Sequence, residues 1–510
     1  MGLSIINVMK NNIRFNVVIN IVRTVALTVI SFLTFPYVCR VLGDSQLGLY
    51  TWANTIAFYF LILAKIGLPN LAIRECVLVR DDKEKLSNKA QAFFLLQGVT
   101  TILSFVLLIS MVYTIPAFQN AATLILLLSI NFISGAFSFE WLFIALEKQL
   151  YMSIRSIVVL AIASILIIAM VKNPDHVYIY ALISAGVTVF TSIANMIYMT
   201  KFINFKKTMP YNYKQYLKPL SILFLLSVIL ALYNQTDSFI LGLLDESKVE
   251  VGSYAVGIKG VEIIIGILAS LSTVFVPRST HYYSLEDKRF FNNLNVYSAN
   301  ICFFIVLPAI VTMGVMSEEL TSIIAGNIGY ESSSMVLLIL IMMMLTYSLG
   351  DIIYGQILIP MKQEKYYLWA MGGGTILNIA ASVTLGIIFK NNNLSIATGV
   401  AIGTVITDLL VLTFLLAKTW KWSKKAIFNL NTLKLFTASL AILVVSILLV
   451  KVFPLSTLWA STYSSDSEIS KGLTLLLIVL IDGIIYIGLL LLMKEKLVSS
   501  FLKRRFKEKN

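Results

Sequence analysis

The chain has 510 residues, 58% of them hydrophobic and only 13% charged, with a mean hydropathy of +0.86 and a formal charge of +14. A soluble domain carries roughly 25% charged residues, so a water-soluble globule and a soluble nucleic-acid binder are both excluded. Cys39, Cys76 and Cys302 have no pairing or ligand spacing and His176 and His281 are the only histidines, which excludes a disulfide scaffold and a histidine-rich metal site.

Apolar runs of about 20 residues, enough to cross about 30 Å of hydrocarbon, recur along the chain without strand-like alternation. This predicts an all-α polytopic membrane protein rather than a barrel. Residues 1–12 lack the pattern of a cleavable export signal and lead straight into the first span. In chain order the expected spans are 15–38, 50–72, 91–115, 121–146, 154–171, 177–200, 220–244, 253–277, 294–316, 335–360, 366–389, 395–417, 435–453 and 472–493, about fourteen helices. The second is interrupted by Lys65 and Pro69, and the seventh carries the polar run Asn234-Gln235-Thr236-Asp237.

Basic residues test this count, because short loops rich in Lys and Arg stay cytoplasmic. With the N-terminus inside, 31 of the 40 basic residues fall on cytoplasmic segments and helix ends, among them Arg74, Arg80, Lys148, Arg155, Lys201 and the tail from Lys494. Six fall opposite, including Arg40, Lys172 and Lys248, and Arg23, Lys65 and Lys259 fall within spans. Acidic residues divide evenly between the faces. Both termini are therefore expected in the cytoplasm, with the excess positive charge facing anionic lipid.

A pattern recurs at about half-length. Leu42-Gly43, a short loop and Leu47-Gly48-Leu49-Tyr50 are answered by Leu241-Gly242, a more acidic loop and Val251-Gly252-Ser253-Tyr254. The first glycines are 199 residues apart and the second 204, a distance of six spans, as in the parallel duplications of some transporters. The expected organisation is a six-helix lobe over 1–200, a cytoplasmic linker over 201–219, a second six-helix lobe over 220–417, and an additional helix pair with a basic tail over 418–510.

Ionisable groups inside spans are candidate sites because hydrocarbon rejects them. Arg23 shares a helix face with Asn16 and Asn20, a stripe suited to an anion such as phosphate; the alternative is a structural ion pair with an acid such as Glu140. Lys65 either faces a cavity or snorkels to the interface. Lys259 and Glu262, three apart, either neutralise each other or contact substrate. Asp237, beside Asn234 and Gln235, either lines a central cavity and binds a coupling proton or sodium ion, or serves packing. For Asp351 and Asp408 a site role and a packing role weigh equally, and Asp482 is expected to make a helix–helix contact or meet a partner. The substrate-cavity set is thus Arg23, Asn20, Lys65, Lys259 and Asn234, and the ion-coupling set Asp237, Glu262 and Asp408. No catalytic residue, metal site or cofactor is expected, so the chain reads as no enzyme. No nucleotide-binding loop is present, and Gly372-Gly373-Gly374 in a hydrophobic span reads as close packing.

Phe35-Pro36-Tyr37-Val38-Cys39-Arg40-Val41-Leu42-Gly43 with Gly48-Leu49-Tyr50, Gly67-Leu68-Pro69 through Ile73-Arg74-Glu75, Gln235 to Gly242, and Val276-Pro277-Arg278 resemble bacterial polysaccharide-export flippases. These are oligosaccharide-repeat-unit flippases of the Wzx type, in the superfamily shared with MATE multidrug exporters and the peptidoglycan-precursor flippase. The resemblance implies a MATE-like fold with an extra helix pair in the bacterial cytoplasmic membrane. It implies translocation of an undecaprenyl-diphosphate-linked oligosaccharide for O antigen, capsule or exopolysaccharide, with intramembrane cations assisting the diphosphate. Arg23 and Lys259 match that role, Lys65 more weakly. Lipid-linked oligosaccharide and membrane lipids are the expected partners, with a polysaccharide polymerase and a chain-length regulator as candidates; no nucleic acid is expected, and the monomer is expected to function. The competing readings are a cation-coupled MATE-type antiporter and a peptidoglycan-precursor flippase.

Overall fold

Inside hydrocarbon every backbone N–H and C=O must find a partner within the chain, which a helix provides residue by residue. The computed structural model describes residues 2–206, 213–326, 329–452 and 468–499, and the long elements among them are all helical. Among the described residues twelve helices are long and apolar enough to cross a membrane. One of them, α1 (Gly2–Lys65), accounts for two expected spans: its apolar part, Val22–Lys65, has 44 residues, about 66 Å at 1.5 Å per residue. Gly43, at φ 75° and ψ 173°, leaves helical geometry between them.

Two expectations need correction. The second span stops at Lys65 instead of running to 72: Ile66 and Gly67 turn in the left-handed region, and the short helix α2 (Leu68–Val77) follows. The fourth span is not one helix. After α3 (Lys83–Thr114) and the single turn α4 (Pro116–Gln119), it is divided into α5 (Ala122–Leu128), α6 (Ile130–Ala136) and α7 (Glu140–Ala145), with Phe139 at φ 46°. Side chains of a later helix reach carbonyls at the breaks: Ser192 Oγ donates to Ser134 O at 2.7 Å, and Asn195 Nδ2 donates to Ser138 O. Both donors lie on α9 (Val177–Met199), which follows α8 (Gln149–Met170).

By Cα proximity the chain forms two compact units, Met1–Gly252 and Ser253–Asn510. The first also contains α10 (Lys214–Leu244) and ends within the first turn of α11 (Val249–Ser284). The second contains the rest of α11, α12 (Lys288–Val315), α13 (Ser317–Ala325), α14 (Ser333–Ile352) with a π-helical turn over Ile353–Leu358, α15 (Lys365–Asn391), α16 (Ile396–Ile427), α17 (Leu430–Ile447) and α18 (Glu468–Leu492). The linker expected over 201–219 lies within the first unit, and its residues 207–212 are outside the described residues.

Without a hydrophobic drive between helices in lipid, small residues and hydrogen bonds hold the bundle. In the first unit, Ser104 and Thr100 of α3 donate to Phe60 O (2.7 Å) and Ala64 O (2.6 Å) of α1. Tyr37 and Tyr50 flank the Gly43 break and fix it to its neighbours: Tyr37 Oη donates to Val171 O at 2.7 Å, and the Tyr50 ring lies 4.5 Å from that of Tyr180. In the second unit, a Cβ at Gly403 of α16 would lie 3.0 Å from the carbonyl carbon of Ala381 of α15, so these helices touch backbone to backbone. Asp482 of α18 accepts from Thr312 Oγ1 of α12 (2.8 Å) and Ser446 Oγ of α17 (2.8 Å), the helix–helix contact that was one of its two expected roles.

Candidate functional site

Four charged groups converge in the first unit. Arg155, placed by sequence among the cytoplasmic segments, lies two turns into α8 and is buried. Its Nη2 donates to Glu140 Oε1 at 2.7 Å and to Ser156 Oγ at 3.0 Å, and its Nη1 donates to Asn195 Oδ1 at 2.6 Å. The acid expected to pair with Arg23 is thus engaged by Arg155. Glu140 remains within electrostatic range of both Arg23 and Lys65, and Arg155 of Arg23. Among the described residues neither Arg23 nor Lys65 makes an ion pair. Three cations with one anion leave a net charge of about two positive units, which inside a membrane demands an anionic partner.

Local structure explains the convergence. Glu140 opens α7 immediately after the left-handed Phe139, so the break in the fourth span sets where the carboxylate stands. Lys65 closes α1 and packs along Gly135 of α6, where a Cβ would lie 3.9 Å from its Cε. Arg23 is half-buried on the first part of α1, and Asn20, one turn before it, is exposed. The Asn16 side chain is outside the described residues. Aromatic rings floor the cluster: Tyr151 and Tyr198 stack at 4.0 Å, and the Arg155 guanidinium sits 5.9 Å from the Tyr151 centroid.

A second polar run joins α1 to α10. Thr55 Oγ1 donates to Gln235 Oε1 at 3.2 Å, the rings of Tyr59 and Phe239 meet edge to face at 5.6 Å, and Thr236 and Asp237 are buried beside them. Asn234 adjoins Gln235 on α10. It is exposed, and its Nδ2 donates to Leu230 O of its own helix at 2.9 Å.

The recurring glycines meet at one end of the seam. A Cβ on Gly48 would lie 1.8 Å from Lys248 O, one on Gly252 would lie 2.1 Å from Asp44 O, and one on Gly242 would lie 1.8 Å from the Trp52 ring. Ser45 Oγ donates to Ser247 O at 2.8 Å. The two copies of the motif do different work. Gly43 supplies a positive φ with open space around it, whereas Gly242 supplies room for Trp52 and the left-handed residue of its loop is Lys248, at φ 63°. Lys248 Nζ lies 4.4 Å from the Trp52 centroid and donates to Gly242 O and Asp245 O, covering the carbonyl end of α10. Burial pushes its ammonium pKa down, against the opposing pull of Asp245 and Glu246.

The other predicted residues lie in the second unit. Lys259 Nζ and Glu262 Oε2 pair at 2.9 Å along α11, with Glu262 exposed. Asp408 is buried in α16, where one turn earlier Thr404 Oγ1 accepts from Asn378 Nδ2 of α15 at 3.1 Å. Asp351 lies in the last turn of α14, just before the π-helical turn. Sequence reasoning missed Arg155 and Asn195. Arg155 was lost by starting the fifth span at 154, five residues late; an Asn within an otherwise apolar helix was the available signal for Asn195.

The comparisons with known proteins agree with this architecture. The family described as "Polysaccharide biosynthesis protein" matches residues 13–283, more than half of the chain. The chain belongs to that family. The "Putative O-antigen transporter" of Escherichia coli (strain K12) is 20% identical over 412 residues, 80% of this chain and 97% of that protein. Among solved structures, the lipid II flippase MurJ in an inward closed conformation superposes with a TM-score of 0.66 at 16% identity, covering 95% of this chain and 99% of that one. An inward-facing multidrug resistance MATE family transporter of the MOP superfamily gives 0.54 at 15% identity, covering 78% of this chain and 99% of that one. At these identities the likeness is one of fold. The family member described here is a multi-pass helical membrane protein with the flippase and MATE architecture.

Proposed function

We propose that the chain moves an undecaprenyl-diphosphate-linked oligosaccharide repeat unit from the cytoplasmic to the outer leaflet of the bacterial cytoplasmic membrane, for O antigen, capsule or exopolysaccharide. The observation that carries this reading is the uncompensated positive charge of Arg23 and Lys65 beside the Glu140–Arg155 pair. Hydrocarbon rejects the diphosphate and glycan of such a molecule and accepts its prenyl tail, so a path needs cations for the headgroup and none for the anchor. The motion proposed is alternating access between duplicated lobes joined near 201–219, with both termini cytoplasmic. The glycine contacts at Gly48, Gly242 and Gly252 then lie at the outer end and close it. Lipid-linked glycan and membrane lipid are the partners of this reading, with polymerase and chain-length regulator acting on the product, and the monomer as the working unit. Lys259 and Asn234 belong to the proposed path only as secondary contacts, since Lys259 is already paired with Glu262.

The test is Arg23→Ala at equal membrane abundance. Two unit charges 4 Å apart exchange ~4 kcal/mol at an effective dielectric of 20; for the half-buried Arg23 about half of that is expected, roughly a 30-fold slower flipping rate. Lipid-linked glycan should accumulate on the cytoplasmic leaflet, read by leaflet-selective labelling; unchanged flipping removes Arg23 from the site. Coupling is assigned to a proton or sodium gradient through Asp237, with Glu262 and Asp408 as further carriers. Asp237→Asn should keep the protein folded while transport loses its response to an imposed proton or sodium gradient, and a retained response excludes Asp237 as the coupling group. The MATE-type antiporter is the second reading. The extra pair α17–α18 favours the flippase, because the solved MATE transporter covers 78% of this chain and MurJ 95%.

A further inference from the structure

We infer that Arg155 is a positioning residue that sequesters Glu140, so that Arg23 and Lys65 stay free for the two phosphates of a polyprenyl diphosphate. The inference rests on the flippase reading of the same site and assigns roles within it. Exposure separates the two members of the pair: the Arg155 side chain is 6% exposed and that of Glu140 40%. A headgroup entering the cluster can therefore reach Glu140, whereas Arg155 sits behind it.

Left to itself, Glu140 would oppose the proposed substrate. It stands at the start of a six-residue helix that follows a left-handed break, within electrostatic range of both free cations, and a carboxylate there would bind them and repel phosphate. Arg155 prevents this with a fixed geometry. Its donors engage Glu140, Ser156 and Asn195. Asn195 in turn donates to Ser138 O, a carbonyl at the break, so one amide orients both the guanidinium and the segment that carries the carboxylate. The sum of charges supports the assignment. Removing Arg155 alone leaves the cluster with one net positive charge and a mobile acid, whereas removing Arg155 and Glu140 together restores two net positive charges on the same two cations.

The experiment measures binding of undecaprenyl diphosphate to purified full-length protein in nanodiscs, with thermal unfolding recorded for every variant. Arg155→Gln should weaken half-saturation at least tenfold, and Arg155→Gln with Glu140→Gln should return it to within about twofold of the parent protein. A merely structural Arg155 would not be rescued by deleting its partner. If Arg155→Gln does not accumulate, Glu140→Gln alone is compared with the double variant: equal binding upholds the inference and a tenfold difference overturns it, as does a single Arg155→Gln variant that binds like the parent. Arg23→Ala with Lys65→Ala separates the two levels of the argument. If that variant binds undecaprenyl diphosphate as the parent does, the flippase site itself is wrong; if it loses binding while the Arg155 variant is not rescued, only the sequestering role falls.

Discussion

Replacing Gly48 with valine will give a protein that reaches the membrane and does not transport. A Cβ at this position would lie 1.8 Å from Lys248 O and 2.9 Å from Gly252 N, and both obstacles are backbone, so no side-chain rotation relieves the overlap. The two segments must part by well over an ångström. Gly252, which would meet Asp44 O at 2.1 Å, makes the same demand from the other side. The loss expected is to background flipping, since a path that cannot close at one end cannot alternate. Closing the same contact covalently should have the same outcome by the opposite route. Ser45 Oγ already donates to Ser247 O at 2.8 Å, and cysteines at 45 and 247, once oxidised, should arrest transport until a reductant is added. An oxidised protein that transports as fast as the reduced one would make this end a permanent joint within the first unit rather than a gate.

These glycines also show what a sequence discloses. The recurrence of Leu-Gly and Gly-x-Tyr was visible as a pattern, and the spans were legible because hydropathy and the lysine-arginine bias are properties of single residues summed along the chain. That the two copies touch each other is a property of backbone approach, which no residue type announces. The break in the fourth span was hidden for a related reason. Ala121 to Leu146 is apolar throughout apart from Thr123, Ser, Asn, Gly and Glu140, so its composition reads as one helix. What interrupts it is the left-handed Phe139 and the donors on α9 that reach carbonyls at the breaks. Arg23 and Lys65 could be singled out because intramembrane charge is rare. Arg155 could not, because an arginine near a span boundary is ordinary until its partners Glu140 and Asn195 are seen.

Gly67→Ala should destabilise the first unit through both backbone strain and a backbone clash. Gly67 stands at φ 72°, after Ile66 at φ 44°, and together they turn the chain from α1 into α2. An alanine in the left-handed region costs about 1–2 kcal/mol. The new Cβ would also lie 2.7 Å from Leu223 C and 2.8 Å from Phe224 N, backbone atoms of α10 that cannot rotate away, and forcing such contacts costs a further 1–3 kcal/mol, about the same again. The sum, roughly 2–5 kcal/mol, is a large share of the stability of a typical domain. Thermal unfolding in detergent should fall by about 5 °C or more, with lower membrane abundance. The neighbouring Pro69 sits in the first turn of α2, where a proline needs no N–H, so Pro69→Ala should shift unfolding far less. Equal stability of the two variants would mean that the turn tolerates a side chain and that α10 is not held against it. A large loss at Gly67 alone would explain why Gly-Leu-Pro stands where α1 ends: the glycine is required by both the handedness of the turn and the closeness of α10, and the proline only by the helix that starts next.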